Sequence, residues 1–110
     1  MTEYEMLSEN VMNLMAADYE RWSAKAGITR VAAPTYYIKP GRKYDEIISG
    51  KGNGQESTCG FIVKKAKEGD KFQVGDLLKA SAWGKPATNF KRGSIYGENL
   101  MTAVRWTGIQ

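Results

Sequence analysis

Histidine is absent, and cysteine occurs once, at Cys59. Without imidazole the chain has no histidine general acid or base, no Ser-His or Cys-His nucleophile pair and no imidazole metal ligand. One cysteine closes no internal disulfide and falls short of the four ligands of a structural zinc. Long apolar runs are also missing. Gly60-Phe61-Ile62-Val63 is strand-sized, far below the ~18 residues that a membrane span needs. The start, Met1-Thr2-Glu3-Tyr4-Glu5, has neither the basic flank nor the apolar stretch of a secretory signal. These absences predict a protein with no cofactor, no metal and no membrane partner, held by its own core or by a partner in a reducing, cytosolic setting.

What is present fits one small globular domain over residues 1–110: 42% of residues are apolar and 25% are charged. The charge is unevenly placed. Residues 1–33 carry three basic and five acidic groups, whereas residues 34–110 carry thirteen and seven. Within the second part, Lys79, Lys85, Lys91 and Arg92 occur in a stretch with no carboxylate. Such a bias suits phosphates or an acidic protein, and it equally suits an ordinary solvated surface.

Residues 3–26 read as one amphipathic helix. Tyr4, Leu7, Val11, Leu14, Met15 and Trp22 share a face at helical spacing, with Met12 and Tyr19 at its border. Thr2 and Glu5 have capping-box spacing. Gly27 is the natural left-handed stop, after which Ile28 can pack back onto the last turn. Asp18 falls inside the apolar stripe. It predicts a stripe that is shallow there or a pairing with a basic residue of the sheet, as against a helix face left open to a partner; the first two are preferred to the third. Assembly through this helix is a further expectation.

From residue 34 the pattern changes to short strands. Thr35–Lys39 and Arg42–Ser49 flank Pro40-Gly41, which predicts a hairpin. Gly50-Lys51-Gly52-Asn53-Gly54 is glycine-rich enough to cradle phosphate, but it leads into a strand rather than a helix, so a hairpin tip is the better reading. Ser57–Lys65 is the strongest strand, and strict alternation puts Cys59 with Phe61 and Val63 as a buried thiol. Further strand material is predicted at Phe72-Gln73-Val74, Leu77–Ala80, Ile95-Tyr96 and Asn99–Thr107, with a loop over 84–94. The expected fold is therefore α+β: one N-terminal amphipathic helix (1–27) packed on a small curled antiparallel sheet of about five strands, within the β-rich part 34–110.

The candidate binding residues lie mainly in Trp83-Gly84-Lys85-Pro86-Ala87-Thr88-Asn89-Phe90-Lys91-Arg92-Gly93. There aromatic rings interleave with cations. Bases stack on aromatic rings while Lys and Arg neutralise the backbone. Lys79, Lys85, Lys91 and Arg92 are the candidate phosphate contacts, and Trp83 or Phe90 is the candidate stacking platform. Arg42 and Lys43 extend the surface if the first hairpin lies alongside. The competing expectation is that at least one of Trp83 and Phe90 anchors the loop to the core. Asp45, Glu46, Asp70 and Asp76 form no motif of metal or glycosidase type, so no enzymatic role is expected.

Gly41-Arg42-Lys43-Tyr44 with Ile47, then Phe61-Ile62-Val63, then Gly75–Trp83, Lys85-Pro86-Ala87 and Arg92-Gly93 occur in a fairly specific order. In this order the stretch from Tyr37 to about Tyr96 resembles a family of small uncharacterised proteins of tailed bacteriophages. Members of that family often carry a histidine just before the aromatic strand, where this chain has Ser57-Thr58-Cys59. The resemblance implies a phage protein acting in the cytoplasm of the infected bacterial host, and it implies no activity. Two functions follow as expectations. One is a sequence-nonspecific nucleic-acid-binding accessory factor. The other is a host-takeover or anti-defence protein that binds a bacterial protein, through the edge of the helix and the 84–94 loop.

Overall fold

The computed structural model describes residues 1–27, 33–50, 54–98 and 100–110. Its first element is helix α1, Glu3–Ala26. The expected capping box is formed. Thr2 Oγ1 accepts the Glu5 N–H at 3.1 Å, and the Glu5 carboxylate accepts the Thr2 N–H at 3.2 Å, so both backbone donors at the helix start are satisfied. Gly27 ends the helix at φ +72°, the left-handed region glycine enters at least cost. The expected return contact of Ile28 lies outside the described residues.

The buried side of α1 is Ser8, Val11, Met15 and Tyr19. This is the expected stripe, slightly rotated. Tyr19 belongs to the core instead of its border, Leu7 and Leu14 are half-buried, and Trp22 is exposed. The rotation follows from Trp106, which packs edge-on against Tyr19 at 5.2 Å and lies 4.8 Å from the Trp22 ring. Asp18 meets a basic residue of the β-rich part, from the C-terminal hairpin instead of the main sheet. Its carboxylate accepts the Trp106 N–H at 3.0 Å and sits 3.7 Å from Arg105.

The strands are β1 (Thr35–Pro40), β2 (Tyr44–Gly50), β3 (Glu56–Val63), β4 (Asp76–Leu78), β5 (Ala80–Ala82), β6 (Lys85–Pro86), β7 (Gly93–Ser94), β8 (Val104–Arg105) and β9 (Gly108–Ile109). Five of them form an antiparallel sheet in the order β1-β2-β3-β4-β7, while β5–β6 and β8–β9 are separate hairpins. With one helix beside this sheet the arrangement is α+β. The β1–β2 hairpin turns at Gly41–Lys43, as Pro40-Gly41 predicts. Residues 51–53 of the glycine-rich loop lie outside the described set.

A β-bulge overturns the alternation expected in β3. Ile47 pairs with Gly60 but Ile48 pairs with Thr58, which leaves Cys59 as the extra residue. Cys59 therefore joins Val11, Met15, Ile47 and Ile62 in the core beneath α1, while Phe61 and Val63 pack with Phe72 and Leu78 on the opposite face. The thiol is buried, as expected.

Three expected strands are replaced. Phe72-Gln73-Val74 is a turn, because Asp76 Oδ2 accepts the Gln73 N–H at 2.8 Å and the following Gly75, at φ +94°, donates to the Val63 carbonyl at 2.8 Å. The strand near Ile95-Tyr96 is instead Gly93–Ser94, and Ile95 is a buried core residue. The closing strand expected over 99–107 is a 3-10 turn, Leu100–Thr102, followed by the β8–β9 hairpin. Alternation would put Ala103 and Val104 on opposite sides, yet both are buried, because the chain doubles back through Gly108 and lays β9 on β3. The 84–94 segment, expected as loop, contains β6 and β7 as well as loop.

Candidate nucleic-acid interface

The β1–β2 turn and the chain leaving β3 are zipped together by backbone. The Lys43 carbonyl accepts the N–H groups of Lys64 and Lys65 at 2.8 and 3.3 Å. Immediately afterwards the chain folds into a tight turn, in which Asp70 Oδ2 accepts the Lys67 N–H at 2.7 Å and the Lys67 carbonyl accepts the Asp70 N–H at 3.0 Å. The result is a shallow groove of about 700 Å³ lined by Arg42, Lys43, Lys64, Lys65 and Lys67, with Asp70 its one carboxylate among the described residues. A smaller adjoining hollow of about 270 Å³ shares Lys43 and Asp70 and adds Tyr44, Lys71 and Phe72.

These cations differ in how free they are. Lys64 is 3.4 Å from the buried Asp45 carboxylate and donates to the Gly41 carbonyl at 3.3 Å. Lys71 donates to the carbonyls of Thr88 and Asn89. Lys43 lies over the Tyr44 ring at 5.7 Å. Arg42, Lys65 and Lys67 are exposed and have no ion-pair partner among the described residues. Like charges gathered this way raise the local potential and attract a polyanion.

The other predicted residues are dispersed. Lys79 is exposed, and its carbonyl accepts the Ala87 N–H at 2.7 Å. Trp83 and Lys85 are exposed on the β5–β6 hairpin, which is tied to β3 where the Gly84 N–H donates to Thr58 Oγ1 at 3.2 Å. Lys91 lies 3.7 Å from Asp76, a carboxylate only 4% exposed. Arg92 stacks on Phe90 at 3.9 Å and donates to the Gln110 carbonyl at 3.2 Å and to Asn89 Oδ1 at 3.3 Å. Both residues thus bind the loop to the body of the fold. The expectation that Trp83 or Phe90 is core is corrected, since they are 60% and 54% exposed. The hairpin turn at Gly84 and the Arg92 side chain hold the loop in their place.

Sequence reasoning brought Arg42 and Lys43 to the groove and missed Lys64, Lys65, Lys67 and Lys71. The signal was available: four lysines in eight residues, directly after the strongest strand.

The chain belongs to a family of unknown function (DUF7717), matched over residues 2–109. The match takes in α1 as well as the sheet. No curated protein and no solved structure matches the chain.

Proposed function

We propose that the protein is a non-enzymatic binder of nucleic acid without sequence specificity, and that the phosphate backbone lies along the groove of Arg42, Lys43, Lys65 and Lys67. The observation that carries this reading is the convergence of these cations on a groove in whose lining, among the described residues, Asp70 is the one carboxylate and is engaged by its own turn. Cations placed on phosphates release condensed counterions, so affinity of this kind falls steeply with salt. Trp83 is the stacking platform of the proposal, because one face of Phe90 is covered by Arg92. Lys79 and Lys85 are secondary phosphate contacts, while Lys91 and Arg92 act by holding the loop. The proposed setting, drawn from the resemblance over 37–96, is a tailed phage and the cytoplasm of its bacterial host. Titration of labelled oligonucleotides at two salt concentrations tests the reading.

A second reading rests on Trp83, Phe90 and Tyr96, each at least half exposed within fourteen residues of chain. Large exposed rings suit a protein partner, in keeping with a host-takeover or anti-defence role. It predicts a stoichiometric protein complex that Trp83→Ala and Phe90→Ala weaken, and no affinity for oligonucleotides.

A further inference from the structure

We infer that the cleft between the first turns of α1 and strand β1 is a binding site for an apolar molecule bearing one ammonium group. The cleft encloses about 640 Å³, in the size range of small-ligand pockets. Tyr4 and Met12 of α1 and Ile38 and Pro40 of β1 supply its apolar walls.

Two nearly inaccessible polar side chains also line it: Ser8, 5% exposed, and Asp45, 6% exposed. Asp45 Oδ2 accepts the Tyr4 hydroxyl at 2.9 Å. Asp45 Oδ1 makes no hydrogen bond, and the Ser8 hydroxyl interacts with the Tyr4 hydroxyl. The Lys64 ammonium pairs with Oδ1 as an ion pair at 3.4 Å without a hydrogen bond to it, and gives one of its three N–H groups to the Gly41 carbonyl. A buried carboxylate oxygen without a donor forgoes the kind of bond that contributes most, a charge-assisted one. An entering ammonium supplies the hydrogen bond that the Lys64 ion pair leaves unmade.

The surrounding charge selects the same ligand. Glu5 and Glu9 line the cleft too, so with Asp45 three carboxylates face two cations, Lys64 and the N-terminal ammonium of Met1. That balance favours a cation over an anion, and the walls favour a hydrocarbon body. Burial, then the Asp45 carboxylate, raise the Tyr4 phenol above its ordinary range, so its hydroxyl remains a donor to Oδ2 and leaves Oδ1 for the ligand. The site adjoins the polyanion groove, and Lys64 and Val74 line both.

The test uses the full chain and three matched probes: hexylamine, hexanol and hexanoate. Amide chemical shifts in NMR report where each one binds. Saturable shifts centred on Tyr4, Ser8, Met12 and Asp45 are expected with hexylamine, with hexanol and hexanoate far weaker. Asp45→Asn should weaken hexylamine binding about tenfold. Met12→Trp, which fills the cleft from its apolar wall and leaves Asp45 in place, should block it independently. Equal responses to hexanol and hexylamine, no saturable binding of hexylamine, or full hexylamine affinity in either variant when folded would overturn the proposal.

Discussion

The Lys91 ammonium lies 3.7 Å from the carboxylate of Asp76, an exposed cation on an acid whose side chain is only 4% accessible. Asp76 also accepts the Gln73 N–H and begins β4. Lys91 therefore fastens the 87–92 loop to the sheet. Lys91→Ala should lower stability by about 1 kcal/mol, since half of the pair is solvated, and leave oligonucleotide affinity within about twofold. Urea unfolding beside an affinity titration checks this. Unchanged stability with lost affinity would return Lys91 to the phosphate contacts.

Asp18 joins α1 to the C-terminal hairpin through the Trp106 N–H and Arg105. Asp18→Ala leaves that N–H, half-buried with its residue, without its charged acceptor, a loss of about 2 kcal/mol. Denaturant unfolding followed by tryptophan fluorescence measures it, and it reports the locality as well, because Trp22 and Trp106 stack beside the contact. A variant as stable as the parent would show that the hairpin docks by apolar packing alone.

How much of this was legible in the chain depends on the range of the interactions involved. The helix is written in near neighbours: Thr2 and Glu5 three residues apart, Gly27 at its end, apolar positions one turn apart. The first hairpin is likewise local to Pro40-Gly41. Asp18 announced a partner by interrupting the apolar stripe, though not which one, since Arg105 is remote in sequence. The bulge at Cys59 was hidden because one extra residue reverses every subsequent side chain without changing composition. The closing strand was misread for a related reason: Val104 and Ile109 pair with one another in a hairpin instead of extending a ladder. In the basic surface, Lys91 and Arg92 look as free as Lys65 and Lys67 by composition. Only the fold reveals that the first pair meets Asp76 and Gln110.

Gly60 lies where β9 crosses β3. A Cβ there would run into the side chain of Ile109 and meet the Leu78 carbonyl oxygen at 3.1 Å. Gly60→Ala should therefore cost about 1–3 kcal/mol by overpacking, despite alanine's better fit to a strand. The double variant Gly60→Ala, Ile109→Ala, which removes the colliding Cγ1, should lose less than the sum of its two single losses. Thermal unfolding of the single and double variants decides this, and a Gly60→Ala protein at parental stability would contradict the packing of β9 on β3.

Burial, the largest influence in each case, raises the phenols of Tyr4 and Tyr36 above their ordinary 10.0. The folded protein retains protons that the unfolded chain releases once pH exceeds that value. This contribution to stability is complete below pH 10.0 and declines as pH rises beyond it. Tyrosinate absorbance and circular dichroism followed together should show ionisation of these two residues coinciding with unfolding. Normal ionisation of all six tyrosines with the fold intact would contradict their burial.

The central claim concerns Arg42, Lys43, Lys65 and Lys67, and its most direct test is a salt titration. Labelled single-stranded and double-stranded oligonucleotides are bound to the parent protein and to the Lys65→Glu, Lys67→Glu double variant at low and physiological salt. The account predicts affinity that falls steeply with salt in the parent. In the double variant it predicts affinity at least about tenfold lower for every sequence, with a salt slope shallower by roughly 1.4 for single strands, two contacts at about 0.7 each. No binding by the parent at low salt, or equal binding by a folded double variant, would contradict it.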